Sequence, residues 1–143
     1  PGFLIGPDAE KAGTILHGTQ AVLATTESTV PWSTIMIRKS FGVAAAAHYG
    51  PDGYVLAWPS AESGPLPLEG GVAVAFKKEI ASAENPEAKR KELEEKMAKN
   101  QNPFPRAEAF SVHEIIDPRE TRKYIALWAE RIQSQLKAKL VSR

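Results

Sequence analysis

The chain has 143 residues, 43% of them apolar and 24% charged, with a net charge of +1 and no cysteine. That length suits one domain with a real core, and the small, dispersed charge gives no nucleic-acid footprint. The missing cysteines exclude disulfides and thiolate metal ligands and fit a cytosolic setting; no apolar run reaches bilayer length, and no signal peptide or membrane contact is expected.

Residues 1–7 (Pro-Gly-Phe-Leu-Ile-Gly-Pro) read as an entry loop. Gly6 as N-cap and Pro7 at the first helical position, with Asp8 and Glu10 in the first turn, start a helix. Ile15, Val22 and Leu23 predict one buried face through about Glu27. Pro31 biases Val30 towards extended geometry, so Val30-Pro31-Trp32 ends the helix and opens a strand.

An apolar β-type run from Thr34 to Ile37 then stops at polar residues, turns at Gly42 and meets four alanines, the best helix formers. A strand feeding a helix through a glycine turn leaves the first N–H groups of that helix without partners, at the positive end of its dipole. Gly42 and the methyl side chains after Val43 allow a ligand close to the backbone. The amides of Val43 and Ala44 are therefore read as a candidate oxyanion hole. The same pattern also suits an ordinary strand–turn–helix with a small-residue packing face.

Gly50-Pro51-Asp52-Gly53 is a turn by composition. Residues 54–58 (Tyr-Val-Leu-Ala-Trp) form a short apolar run, as in a strand covered on both faces, and Pro59 closes it. The prolines of Ser63-Gly64-Pro65-Leu66-Pro67 exclude helix and central strand. Leu68 to Phe76 reads as a small-residue helix. Asn85 caps a helix with Pro86 at its first position, running to about Asn100, whose charges of alternating sign predict a solvated face with intrahelical pairs.

Asn102-Pro103-Phe104-Pro105 is expected to break the chain. Val112 to Ile116 reads as a strand, and Asp117-Pro118-Arg119-Glu120 as a capping box. The last helix aligns Ile125, Trp128, Ile132 and Leu136 in a stripe that suits an intramolecular dock or a partner surface. His17, His48 and His113 show no ligand spacing, so no metal site is expected. Glu62 and Glu69 are candidates to face the site, although isolated carboxylates near a turn are usually solvated.

A set of short motifs stands in one order along the chain. They include Pro1-Gly2-Phe3, His17-Gly18, Arg38-Lys39-Ser40-Phe41-Gly42, Ala57-Trp58-Pro59-Ser60-Ala61-Glu62, Asn102-Pro103 and Ile116-Asp117-Pro118-Arg119-Glu120-Thr121-Arg122. In that order they resemble the C-terminal half of the carboxyltransferase subunit of biotin-dependent acyl-CoA carboxylases, of the propionyl-CoA carboxylase β type. The resemblance implies an α/β crotonase/ClpP-like layered sheet with flanking helices, incomplete at its N-terminus. Residues 1–143 would then be one C-terminal carboxyltransferase domain, a fragment of a longer subunit.

The implied reaction is carboxyl transfer from carboxybiotin, carried on a separate carrier domain, to the α-carbon of an acyl-CoA. The implied oxyanion hole is made by the Val43 and Ala44 amides, and Gly2, Phe3, Phe41, Gly42 and Ala46 are the implied biotin- or substrate-binding positions. The implied partners are an N-terminal carboxyltransferase domain, biotin carboxylase and biotin carrier subunits, and further copies of the chain. The implied setting is cytoplasmic, or the mitochondrial matrix in a eukaryote.

Departures from the family pattern are specific. Gly-Gly-Ala-Tyr becomes Gly42-Val43-Ala44-Ala45, placing a β-branched side chain where glycine lets biotin approach. An aspartate position becomes Ala46, Arg-His-Gly-Ala-Lys becomes Leu16-His17-Gly18-Thr19-Gln20, and Val-Met-Gly becomes Pro65-Leu66-Pro67. Two other readings stay open: a non-catalytic assembly paralogue, and a subunit of an acyl-CoA decarboxylase.

Overall fold

Gly6 and Pro7 start the first helix as their chemistry requires, but that helix is short. In the computed structural model, which describes residues 2–51 and 53–141, α1 spans Pro7–Lys11 and α2 spans Thr14–Thr26. They are separated at Gly13, whose φ of 76° is left-handed and interrupts the expected continuous helix. The expected buried face is also corrected. Ile15 and Leu23 are exposed, and Gly18 is the buried residue of α2. The Pro1 part of the entry loop and the Asp52 part of the turn lie outside the described residues.

The apolar runs pair as a parallel three-stranded sheet in the order β1 (Ser33–Met36), β3 (Tyr54–Ala57), β5 (Glu114–Ile115). Central β3 is covered on both faces as its composition predicts: Val55, Leu56 and Ala57 are all buried. Met36, Val55, Ala57, Ala61 and Val112 form a core cluster beneath Tyr49. His113 is tied to β3 twice, its N–H donating to the Val55 carbonyl at 2.8 Å and its Nδ1 accepting from the Val55 N–H at 3.1 Å.

A second, two-stranded parallel sheet was not anticipated: β2 (Lys39–Phe41) pairs with β4 (Glu62–Gly64), Ser40 opposite Ser63. The α/β class with layered sheets and flanking helices stands. Of the remaining helices, α3 spans Gly42–Ala46, α4 Leu68–Ala75, α5 Lys77–Ala81 and α6 Pro86–Gln101. Asn85 caps α6 by accepting from the Ala88 N–H at 3.0 Å. Lys89–Glu92 and Arg90–Glu94 pair along its solvated face. The buried Gln101 amide donates to the Leu66 carbonyl at 2.9 Å, joining the end of α6 to the proline loop.

Asn102-Pro103-Phe104-Pro105 breaks the chain only to begin another helix, α7 (Pro103–Glu108), because proline is tolerated in a first turn. The last helix, α8 (Thr121–Val141), follows a 3₁₀ turn at Pro118–Glu120. Trp58 Nε1 donates to Thr121 Oγ1 at 2.9 Å and ties the start of α8 to β3.

Asp117 caps this turn by accepting from the Arg119 N–H at 2.8 Å. The reciprocal half of a capping box is replaced, since Glu120 pairs with Lys123. The Arg119 side chain and backbone N–H hold the Asp117 carboxyl at about 2, below its usual 3.8. A carboxyl whose folded pKa is depressed contributes above its unfolded value and loses that contribution as pH falls through the folded one. The first turn of α8 should therefore loosen between about pH 4 and pH 2. Acid titration of helical circular dichroism checks this, and Asp117→Asn, which keeps a cap but not the charge, should remove that transition.

Candidate active site

Phe41 leaves β2 extended (φ −124°, ψ 148°), and Gly42, at φ 66°, turns the chain into α3. A side chain at Gly42 would meet only ordinary packing, 3.5 Å from the Pro65 carbonyl, so backbone conformation is what asks for glycine here. The first carbonyls of α3 accept from Ala45 onward, with Ala47 N–H reaching the Val43 carbonyl at 3.2 Å. The N–H groups of Val43 and Ala44 therefore have no acceptor inside the helix. Among the described residues no side chain caps them. The Ala44 side chain is buried, whereas Val43 is 63% exposed.

Beside this turn lies a cleft of about 420 Å³ lined by Ser40, Gly42, Val43, Ala46, Tyr49 and Arg106, among others. Its described walls are small or apolar side chains, two hydroxyls and one cation, with no carboxylate. The Tyr49 hydroxyl is held by Ser40 Oγ at 3.4 Å and Met36 Sδ at 3.3 Å. A second cleft of about 560 Å³ opens between β3 and the α7–β5 segment and shares Tyr49 and Arg106 with the first.

The structure brings Gly42, Val43 and Ala46 to the cleft; Ala44 is buried and is not among the residues that line it. Phe41 packs behind the turn, in a small pocket with Glu62 and Gln101. Gly2 and Phe3 do not line the cleft: the Phe3 ring lies against α2, where a side chain at Gly18 would collide with it. The side chain of Glu69 lies outside the described residues. Arg106 and Tyr49 were missed by sequence reasoning.

A separate groove of about 360 Å³ between β5 and α8 is lined by Tyr54, His113, Tyr124 and Trp128, among others. There the Tyr124 hydroxyl donates to Glu114 Oε1 at 2.6 Å, which pushes its pKa up to about 12. Trp128 and Ile132 of the predicted stripe line this groove and are half-buried, while Ile125 and Leu136 are exposed.

The layered sheets with flanking helices have the fold of solved carboxyltransferases. The family described as "Carboxyl transferase domain" matches residues 1–142, and the chain belongs to it. The carboxyltransferase subunit of propionyl-CoA carboxylase from Haloferax mediterranei is 36% identical over 143 residues, covering 96% of this chain and 28% of that protein. The 12S subunit of methylmalonyl-CoA carboxyltransferase from Propionibacterium freudenreichii subsp. shermanii is 40% identical over 130 residues, covering 88% and 25%.

Among solved structures, the transcarboxylase 12S hexamer with methylmalonyl-coenzyme A and methylmalonic acid bound superposes with a TM-score of 0.82 at 38% identity, covering 94% of this chain and 26% of that one. The chain thus spans about a quarter of the length of the curated relatives it matches.

Proposed function

We propose that this chain is the C-terminal, biotin-facing part of an acyl-CoA carboxyltransferase, and that the Val43 and Ala44 amides form its oxyanion hole. The observation that carries this reading is the pair of N–H groups without a helix acceptor in the first turn of α3, beside a cleft whose lining includes Gly42, Ala46 and Gly64. The residues fit a ureido group. Two adjacent backbone donors suit one carbonyl oxygen, and Gly42 and Ala46 leave room for a flat ring.

Carboxybiotin, when bound, supplies the carboxyl group. The chain's contribution is to orient donors at the oxygen that gains charge, without a side-chain nucleophile and at no reorganisation cost. Backbone donors tolerate the change from glycine to Val43, since any residue but proline supplies the N–H. The acyl-CoA side of the reaction is assigned to an N-terminal carboxyltransferase domain, with biotin carboxylase, a carrier domain and further copies of the chain as partners.

The exposed Val43 side chain stands at the cleft and narrows the approach. In the intact enzyme, Val43→Gly should raise carboxyl exchange between a malonyl-type CoA ester and free biotin roughly fivefold, the size of about 1 kcal/mol of relieved crowding. Unchanged rate and biotin affinity would remove the steric account. Absence of exchange in the wild-type enzyme would remove the carboxyl-transfer assignment and favour an assembly role.

A further inference from the structure

Two basic side chains among those described are half-buried, Lys89 and Arg106. Lys89 is neutralised by Glu79 at 3.2 Å and Glu92 at 3.1 Å. Arg106 differs: among the described residues its guanidinium makes no ion pair and no side-chain hydrogen bond. It lies at the boundary of the two clefts that meet at Tyr49, and no described residue lining either cleft is acidic. A charge taken partly out of water without a partner is unfavourable. Such a group is retained where an anion completes it, and a planar guanidinium suits a carboxylate, which it can grip with two parallel N–H donors.

Local structure holds Arg106 in place. Asn102 caps α7 by accepting from the Phe104 N–H at 3.0 Å, and the Arg106 carbonyl accepts from the Ser111 N–H at 2.8 Å as the chain turns towards β5. The backbone on both sides of the side chain is therefore fixed before any ligand arrives. Arg106 and Val43 line the same cleft, so an anion on the guanidinium shares that cleft with the proposed oxyanion hole.

Resting on the function proposed above, we infer that Arg106 recognises the free carboxylate of the carboxylated acyl-CoA, and so distinguishes that ester from its uncarboxylated counterpart. Arg106 is a binding and positioning residue. It takes no proton, and the donors at the charge-gaining oxygen remain the α3 amides.

Binding of CoA esters to the intact, biotin-free protein tests this by calorimetry, with methylmalonyl-CoA against propionyl-CoA and malonyl-CoA against acetyl-CoA as probes. Arg106→Met should weaken the carboxylated member of each pair about tenfold and leave the uncarboxylated member essentially unchanged. Arg106→Lys, which keeps the charge but not the two-pronged geometry, should recover part of the loss. Equal weakening of both members would place the guanidinium on a CoA phosphate, or report a collapsed cleft, and overturn the inference. No weakening of either would mean that another part of the protein neutralises Arg106, with the same consequence. Wild-type protein that exchanges carboxyl groups while Arg106→Met shows no selective loss would sink this inference alone; wild-type protein that exchanges none would sink the proposed function, while the binding comparison still reports on Arg106.

Discussion

Val43→Pro in the intact enzyme should lower the rate of carboxyl exchange about 10²- to 10³-fold, the usual cost of deleting one oxyanion donor. Proline removes an N–H that α3 does not use, since the second residue of a helix has no acceptor within it. The preceding Gly42 has no Cβ to meet the proline ring, which leaves its backbone N–H as the one contact that restricts it. Far-ultraviolet circular dichroism and thermal midpoint should therefore stay near wild type while turnover falls. Comparison with Val43→Gly separates two roles of one residue: both variants remove the valine side chain, and only proline removes the donor. A Val43→Pro enzyme that turns over like Val43→Gly would show that the amide at position 43 is not a donor in the reaction.

How legible the molecule was in its sequence follows from the range of the forces involved. Helix starts marked by a cap and a proline, Gly6-Pro7 and Asn85-Pro86, fall where local chemistry puts them, because the orphan N–H groups of a first turn are satisfied within a few residues. The apolar run at 54–57 announces a buried strand because both of its faces are covered. By contrast, β2 is Lys39–Phe41, three residues with no apolar alternation. It exists because Glu62–Gly64 arrives beside it from twenty residues on, information that no local window holds.

Two smaller misreadings have the same physical origin. A lone glycine such as Gly13 is compatible with one continuous helical pattern until its φ turns positive. The apolar residues of α2 predicted burial, yet Ile15 and Leu23 face outward in this chain. At the candidate site, the Gly42 turn was legible because a glycine between a strand and an alanine run has few other uses. Arg106 was not legible. Asn102-Pro103-Phe104-Pro105 looked like a plain interruption, whereas first-turn prolines permit α7, and α7 carries the guanidinium to the cleft.

Leu56→Ala should cost about 2–5 kcal/mol of stability, read as a lowered urea midpoint with an unchanged slope. Leu56 is fully buried in central β3, in register with Ile35 on β1 and Glu114 on β5. Val55 and Ala57 belong to the core cluster beneath Tyr49, and alternation along a strand puts Leu56 on the opposite face. Truncation there removes three buried carbons from a close-packed layer that relaxes only in part, so a cavity term adds to the transfer term. Leu56→Met, which nearly conserves volume, should cost less than about 1.5 kcal/mol. The consequence for function is indirect, because β3 holds β1, which leads to the Gly42 turn, and β5, which follows the Arg106 segment. Loss of its packing should weaken CoA-ester binding and carboxyl exchange together as the midpoint temperature is approached, and leave both near wild type well below it. A Leu56→Ala protein as stable as wild type would mean that β3 is not the structural centre on which both halves of the cleft depend.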